Sequence, residues 1–189
     1  MSEARRLATY ADLVGLPEHL TGEILDGEVV VSPRPAGPHS RVGAGMTGTL
    51  FGPFDRRPGG PEGPGGWWIL FVPELHLSGH VLVPDLAGWR REHLPRGPVD
   101  VAFTVAPDWI CEILSPQSAR RDRVQKMDVY HRVGVEWAWL VDPDARTLEV
   151  YRRHDGGWVR LAAFADDARV RAEPFDAIEI DLARWWIDP

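Results

Sequence analysis

The sequence predicts an α/β domain formed by a chain of 189 residues. Three apolar runs of strand length lie in the middle of the chain, and a segment with helical spacing follows the third run directly. A chain of this length can build one compact domain with a proper hydrophobic core. We therefore expect one domain over residues 1–189, with a flexible Gly- and Pro-rich surface loop at residues 58–66.

The N-terminal third predicts two helices and a short strand. Tyr10–Leu20 is predicted as a short helix, and His39–Phe54 as a second one because small and apolar residues recur there at roughly helical spacing. Between them, Glu23–Glu28 is predicted as a turn that feeds a strand at Val29–Val31, and Ser32–Pro35 closes that strand. The Gly- and Pro-rich loop then separates the second helix from the predicted sheet.

The centre of the chain predicts three neighbouring strands followed by a helix. The strands, each bounded by Pro, Gly or charged residues, are Trp67–Val72, His80–Trp89 and Trp109–Leu114. The helix spans about residues 118–133, because serine hydroxyls at its start can cap it and Gly134 supplies a C-terminal stop. Its apolar positions are Val124, Met127, Tyr130 and Val133.

The C-terminal part predicts one more strand, a β-hairpin and an apolar tail. The strand and the two hairpin arms are Glu136–Val141, Thr147–Arg152 and Trp158–Phe164, joined by turns rich in Asp and Gly. Residues 178–186 are apolar enough to pack back onto the body of the domain, with Trp185 and Trp186 as anchors. Packing of this kind explains the nine tryptophans better than base stacking does.

The composition excludes several function classes. The formal net charge of −7 gives no basic field that would bind the phosphate backbone of duplex DNA in general. No apolar run is long enough to span a bilayer, the first ten residues lack a secretory signal, and the single cysteine, Cys111, fits a reducing cytoplasm. We therefore expect a cytoplasmic protein without membrane contact. A buried strand position disfavours Cys111 as a nucleophile, and no phosphate-binding loop, serine elbow or zinc spacing is present.

Lys126 is the first residue that points to chemistry. It is the only lysine among 21 basic residues, and an ammonium is not interchangeable with a guanidinium at a reactive site. Chance explains the count alone slightly better than function does, and a surface ion pair with Asp122 is the plain alternative. Asp122, Lys126 and Tyr130 fall at i, i+4 and i+8 on one face of the predicted helix. The residues before this helix must therefore decide whether Lys126 has a functional role.

Two carboxylates lie inside the apolar strands that precede the helix. Burying a carboxylate without a partner is costly, so Asp85 and Glu112 should each have a cation, a metal ion or a raised pKa. Pro84 cannot donate to a sheet ladder and so marks an edge or distortion, which would expose Asp85 in a notch opposite Glu112. The helix after Glu112 can lay Lys126 across both strands. The alternative for Asp85 is a turn residue after proline.

Other polar residues are weaker candidates. Glu23 or Glu28 could add a carboxylate from the N-terminal segment, although acids are common next to Gly turns. His39 could be a ligand, a base or only the first residue of a helix. Glu74 and His76 lie on the run that enters the Asp85 segment.

These residues resemble the PD-(D/E)XK nuclease superfamily. Pro84-Asp85 matches the first motif of that superfamily, and Glu112 matches the acidic residue of the second motif, at the end of the next strand. The superfamily lysine lies two residues after the second acid, where this chain has Leu114. In some members that lysine has migrated to the following helix, and Lys126 stands where a migrated lysine is expected.

More narrowly, from Tyr10 to Trp186 the chain resembles the Uma family of restriction-endonuclease-like proteins. The matching segments are Glu23–Glu28, Ser32-Pro33, His39, Pro84-Asp85, Glu112–Pro116, Asp122, Lys126, Tyr130, Gly134-Val135 and Trp139–Pro143. Each is weak alone, and the set in this order is fairly specific. The resemblance implies a restriction-endonuclease-like core with a central mixed β-sheet flanked by helices, to which the predicted C-terminal β-hairpin is an extra element.

The resemblance also implies a metal-dependent nuclease that hydrolyses phosphodiester bonds. Asp85, Glu112 and the backbone carbonyl of Ile113 would hold Mg²⁺ or Mn²⁺, and Lys126 would be the catalytic lysine. Additional site residues would be Glu28, His39, Glu74 and Tyr130. The implied partners are nucleic acid, DNA first, and a second copy of the chain in a homodimer. The alternative is an inactive nuclease-fold module that binds protein or nucleic acid, helped by exposed tryptophans and by self-association through the hairpin.

Overall fold

The computed structural model describes residues 6–35 and 37–187, which form three β-sheets and a few helices. The helices are α1 (Ala11–Val14), α2 (Gly37–Phe54), α3 (Ala119–Arg121) and α4 (Met127–Val133), with a π-helical turn, Asp122–Lys126, between α3 and α4. The strands are β1 (Leu20–Leu25), β2 (Glu28–Pro33), β3 (Trp67–Phe71), β4 (Glu74–Leu77), β5 (His80–Leu82), β6 (Leu86–Arg90), β7 (Ala102–Phe103), β8 (Trp109–Ile113), β9 (Trp137–Asp142), β10 (Thr147–His154), β11 (Gly157–Ala165), β12 (Arg169–Val170) and β13 (Ile180–Asp181). A 3₁₀ turn, Leu182–Arg184, follows β13. Among the helices of these ranges, none has the length and apolarity that crossing a membrane requires.

The largest sheet has six strands in the order β11-β10-β9-β8-β6-β3. Its β8 and β9 run parallel and its other neighbours antiparallel, so the expected mixed sheet is confirmed. The C-terminal hairpin is also confirmed, as β10 and β11 at one edge of this sheet. A second sheet has five strands in the order β2-β1-β5-β4-β7, and β12 pairs with β13.

The prediction of one strand over His80–Trp89 is wrong. The strand β5 belongs to the five-stranded sheet and β6 to the six-stranded sheet, and residues 83–85 pass from one to the other. Pro84 has no N–H to donate, so the ladder of the smaller sheet ends before it. This crossing places Asp85 at the seam between the two sheets.

The N-terminal segment also differs from its prediction. The predicted helix Tyr10–Leu20 is only one turn long, as α1, because Pro17 cannot continue it. Glu23 lies within β1 rather than in a turn. The turn is formed by Asp26 and Gly27, whose positive φ values of 49° and 78° are those that a two-residue hairpin turn requires. The Gly- and Pro-rich loop contains neither helix nor strand, as predicted.

Apolar side chains pack against both faces of the six-stranded sheet. The face covered by α2 receives Val42, Met46, Leu50 and Phe54 from that helix, and the opposite face receives Met127, Val129 and Tyr130 from α4. Seven of the nine tryptophans are buried, and the other two, Trp68 and Trp158, are half-buried. The tryptophans therefore build the core, and the exposed tryptophans that a binding module would have used are absent. Trp185 and Trp186 are buried, which confirms that the C-terminal tail packs back.

Helix α2 lies close to the C-terminal segment at Gly45. A methyl group added to Gly45 would lie 3.0 Å from both the carbonyl oxygen of Arg184 and Cα of Trp185. Both are backbone atoms, so we expect Gly45→Ala to lower the free energy of unfolding by about 1–3 kcal/mol. Gly48, on the exposed side of the same helix, has no such neighbour within 4 Å. Gly48→Ala should raise the free energy of unfolding by about 0.5–1 kcal/mol. Urea denaturation measures both variants, and equal effects of Gly45→Ala and Gly48→Ala would contradict the close packing at Gly45.

Candidate active site

Asp85 and Glu112 lie side by side at the seam between the sheets. The antiparallel register pairs Leu86 with Cys111, and one residue further along this register Asp85 faces Glu112. The backbone N–H of Ile113 donates to Asp85 Oδ2 at 2.7 Å, which fixes the Asp85 side chain against β8. Residues opposite each other in an antiparallel pair share a face of the sheet, so both carboxylates are presented to the same side.

The ammonium of Lys126 joins this pair from the π-helical turn. Its Nζ lies 2.8 Å from Glu112 Oε1 and 2.8 Å from Glu23 Oε1, and it donates to the carbonyl oxygen of Val83 at 3.4 Å. An ammonium has three N–H donors, and each of them has an acceptor here. Lys126 is only 2% exposed, so the surface ion pair considered for it is wrong.

Glu23 is a member of this cluster that the sequence analysis weighed only as an alternative to Glu28. It is buried in β1, and its Oε1 accepts the backbone N–H of Val83 at 2.9 Å as well as the ammonium. A single pairing, of Ile24 with Val81, brings β1 to β5 and so carries Glu23 to the site. Glu28, the alternative from the same segment, is exposed and does not line the cavity described below. The signal that could have found Glu23 is an acid next to a run of apolar strand residues.

The helical segment presents polar groups to the site. Asp122 is buried beside Lys126, and the hydroxyl of Tyr130 donates to Glu112 Oε1 at 2.5 Å. Val124, predicted as an apolar face position, is 64% exposed, so that prediction is wrong. The buried face of the segment instead carries Asp122, Lys126 and Tyr130, and the last two bind Glu112, a carboxylate that needs partners because it is buried.

Burial dominates the electrostatics of this cluster. It raises the pKa of Glu112 well above its usual range; Lys126 opposes the rise, and Asp122, Asp85 and Glu23 add to it. Burial also raises the pKa of Asp122. For Lys126, burial alone would lower the pKa, but the carboxylates of Glu112, Glu23 and Asp122 outweigh it and the pKa is raised. One permanently charged ammonium therefore faces three buried carboxyl groups.

His39 lies next to Asp85, whereas Glu74 and His76 lie elsewhere. Near the start of α2, His39 places Nε2 3.1 Å from Asp85 Oδ1. Glu74 and His76 contact each other, with 2.7 Å between Oε1 and Nε2, and neither lines the cavity. Of the additional candidates, the structure thus brings His39 and Tyr130 to the carboxylates, but not Glu28 or Glu74.

The cluster forms one wall of an open cavity of about 590 Å³. Two basic side chains, Arg34 just after β2 and Arg121 in α3, also line it. Arg121 reaches across from α3 to β2, where its Nη2 donates to the hydroxyl of Ser32 at 2.9 Å. The cavity therefore joins a buried acidic floor to a partly basic rim, an arrangement suited to an anionic ligand that approaches with a cation.

Comparison with known proteins places the chain in a family. Residues 7–183 match the family model Uma2, described as "Putative restriction endonuclease". The chain belongs to the Uma2 family. A crystal structure of a putative nuclease belonging to DUF820 from Anabaena variabilis is similar to this Uma2 protein, with a TM-score of 0.74 and 24% sequence identity, covering 94% of this chain and 98% of the other. At that identity the likeness shows a common fold. Among curated proteins, no significant match is found.

The donor set of this Uma2 site fits a small divalent cation. Among residues 6–35 and 37–187, no three His, Cys, Asp or Glu side chains are grouped so that they could hold a metal ion. Mg²⁺, however, is commonly bound by one or two carboxylates together with waters and substrate phosphates, which Asp85 and Glu112 side by side can supply. Burial raises the pKa of the carboxyl groups of Glu112 and Asp122, and the single ammonium of Lys126 does not offset this rise. A divalent cation bound beside Glu112 would favour the charged form of that carboxyl group.

The hydroxyl of Tyr130 should matter to the stability of the Uma2 fold. Its hydrogen bond to Glu112 is buried, so we expect Tyr130→Phe to lower the free energy of unfolding by about 1.5–3 kcal/mol. Tyr151 offers a matched control, because its hydroxyl donates to Glu149 at the same 2.5 Å but the ring is only half-buried. For Tyr151→Phe we expect a loss below about 1 kcal/mol, since water can replace the bond. Urea denaturation compares the two, and equal losses would contradict a special role of burial at Glu112.

Proposed function

We propose that this Uma2 protein is a metal-dependent nuclease that hydrolyses phosphodiester bonds, with DNA as the first candidate substrate. The observation that carries the proposal is the pair of carboxylates, Asp85 and Glu112, which lie side by side at a cavity and share its wall with the ammonium of Lys126. The family description and the nuclease named in the similar crystal structure support the same reaction class.

The carboxylates would hold Mg²⁺ or Mn²⁺ together with the backbone carbonyl of Ile113. The N–H of Ile113 already binds Asp85, so the backbone of Ile113 lies beside that carboxylate. The cation, when bound, would polarise the scissile phosphate and make a bound water more acidic. Asp85 is oriented on both of its oxygens, by Ile113 and by His39, which fixes it for a ligand role.

Lys126 would act on the reaction through its charge. Each of its three donors already has an acceptor, so it has no spare N–H for a phosphate. A positive charge held in a buried wall still stabilises the negative charge that grows on the phosphate in the transition state, because little water screens it there. Glu23 and Tyr130 would keep the ammonium and Glu112 in this arrangement.

The proposal also covers the binding partners of the protein and its location in the cell. Nucleic acid would meet the cavity at its rim, where Arg34 and Arg121 can contact phosphates. A homodimer would form through the C-terminal hairpin, where β11 is an edge strand with exposed Val159 and Leu161. The single cysteine, Cys111, is buried and unpaired, which fits a reducing cytoplasm.

A cleavage assay tests the proposal. The protein is incubated with supercoiled plasmid and with single-stranded circular DNA, in Mg²⁺, in Mn²⁺ or in EDTA, and the products are separated on a gel. We expect nicking or linearisation with either metal ion and none in EDTA. If neither DNA is cleaved in any metal, the nuclease proposal fails and an inactive nuclease-fold module becomes the better account.

A further inference from the structure

Phe71 presents an exposed aromatic ring at the wall of the cavity. It is the last residue of β3 and is 54% exposed, whereas Phe54, Phe103 and Phe175 are buried in the core. More than half of this side chain faces solvent at a polar cavity, where it is open to a ligand.

The ring is held next to the candidate catalytic carboxylate. A Cβ added to Gly43 would lie 3.0 Å from Phe71 Cε2, so the ring packs on the bare backbone of α2 at this glycine. One helical turn before Gly43, His39 contacts Asp85 at 3.1 Å. In the sheet, Phe71 pairs with Leu86, the residue that follows Asp85. Phe71 therefore packs one helical turn from His39, and its partner in the sheet directly follows Asp85.

The backbone after the ring is strained. Val72 has a φ of 51°, which a β-branched residue rarely adopts, and its N–H donates to the carbonyl oxygen of Asp85 at 2.9 Å. Backbone strain of this kind persists where the surrounding structure imposes it, and it concentrates at functional sites. The corner at Val72 therefore ties the end of β3 to Asp85.

Charge alone gives this site little affinity for nucleic acid. The chain carries a formal net charge of −7, and the cavity has more carboxylates than basic side chains in its walls. Stacking of a base on an aromatic ring adds affinity that does not depend on phosphate charge. An exposed ring beside an acidic site can therefore supply the affinity for nucleic acid that the charges of the site do not provide.

We propose that Phe71 is a base-stacking residue and that the cavity takes an unpaired strand of nucleic acid, an inference that rests on the proposed nuclease function. The face of a base is open to a side chain only where the base is unstacked, as in a single strand or a flipped nucleotide. The cavity, about 590 Å³, is in the size range of pockets that hold small ligands. With the base on Phe71, the adjoining phosphate can face Asp85 and the rim arginines.

Binding of a fluorescent ten-nucleotide single strand tests this inference. Anisotropy is measured at low salt in EDTA, where the proposed metal-dependent cleavage does not occur, for the wild type, Phe71→Leu and Phe51→Leu. Phe51 is a matched control, because it is 49% exposed on α2 and does not line the cavity. We expect Phe71→Leu to weaken binding by roughly five- to 150-fold, as loss of one stacked base does, and Phe51→Leu to leave it within about twofold.

Abasic strands and a duplex identify the contact. One strand with an abasic position should lose as much affinity for the wild type as Phe71→Leu does, and should lose no more when bound to Phe71→Leu. The same sequence as a duplex should bind more weakly than the single strand. Equal binding by wild type and Phe71→Leu, tighter binding of the duplex, or no binding of any strand by the wild type would overturn the inference.

The cleavage assay in Mg²⁺ separates this inference from the proposed function. If the wild type cleaves DNA and Phe71→Leu cleaves and binds equally well, only the role of Phe71 is lost. If binding depends on Phe71 but the wild type cleaves nothing in any metal ion, the base contact stands and the nuclease proposal fails.

Discussion

Asp85→Asn is expected to reduce DNA cleavage by about 10²-fold or more while leaving the fold intact. The asparagine amide can still accept the N–H of Ile113 and can donate to His39, so the local hydrogen bonds survive. It loses the negative charge with which a carboxylate holds a divalent cation. Loss of a charge that stabilises the transition state typically costs about two to three orders of magnitude in rate.

Asp128→Asn is the matched control for this change. Asp128 lies on α4, is exposed and pairs with Arg132 outside the cavity. Cleavage by Asp128→Asn should match the wild type, with rates taken from initial nicking of plasmid in Mg²⁺. If Asp85→Asn cleaves as fast as Asp128→Asn, Asp85 is not a ligand and the reaction belongs to another site.

Lys126→Met is expected to have the largest effect on stability. The change leaves the buried carboxyl groups of Glu23, Glu112 and Asp122 without their ammonium, and removal of one partner of a buried ion pair costs about 3–5 kcal/mol. Lys126→Arg should not restore the wild type, because a planar guanidinium cannot direct its donors as the ammonium does in a space with 2% exposure. Cleavage should fall in both variants.

Urea denaturation measures this effect against a surface pair and a double variant. Arg132 is half exposed and pairs with Asp26 and Asp128, so Arg132→Met should change the free energy of unfolding by less than about 1 kcal/mol. Combining Lys126→Met with Glu23→Gln should cost less than the sum of the two single changes, because the double variant buries one charge fewer. Strict additivity, or a loss for Lys126→Met as small as for Arg132→Met, would contradict the buried cluster.

The part of the site that could be predicted depends on local physics. Asp85 and Glu112 stand out because a carboxylate within an apolar strand is costly wherever the strand lies, and Pro84 marks the break in the ladder without knowledge of the fold. Lys126 lies on the helical segment that follows Glu112 in the chain. It therefore reaches Glu112 as soon as this segment packs against β8, the strand before it. Two of the three central strands, β3 and β8, and the C-terminal hairpin were predictable for the same reason, since their periodicity and turns are local.

What could not be predicted depends on contacts between distant segments. Glu23 reaches the site through one pairing of β1 with β5, and nothing near Glu23 in sequence announces that pairing. The hairpin of β4 and β5 was missed because its strands are only four and three residues long, although Ser78 and Gly79 form a typical two-residue turn. Val124 was placed on the wrong face because it lies in the π-helical turn Asp122–Lys126, which departs from the regular helical period that the apolar pattern assumes.

The claim that Asp85 and Glu112 hold a divalent cation is tested most directly by a crystal grown with Mn²⁺. Anomalous difference density should show one ion between the two carboxylates, about 2.1 Å from an oxygen of each and close to the carbonyl of Ile113. A crystal of Asp85→Asn, prepared in the same way, should lack this peak. Well-ordered Asp85 and Glu112 side chains without an ion between them, at a Mn²⁺ concentration that supports cleavage, would contradict the account.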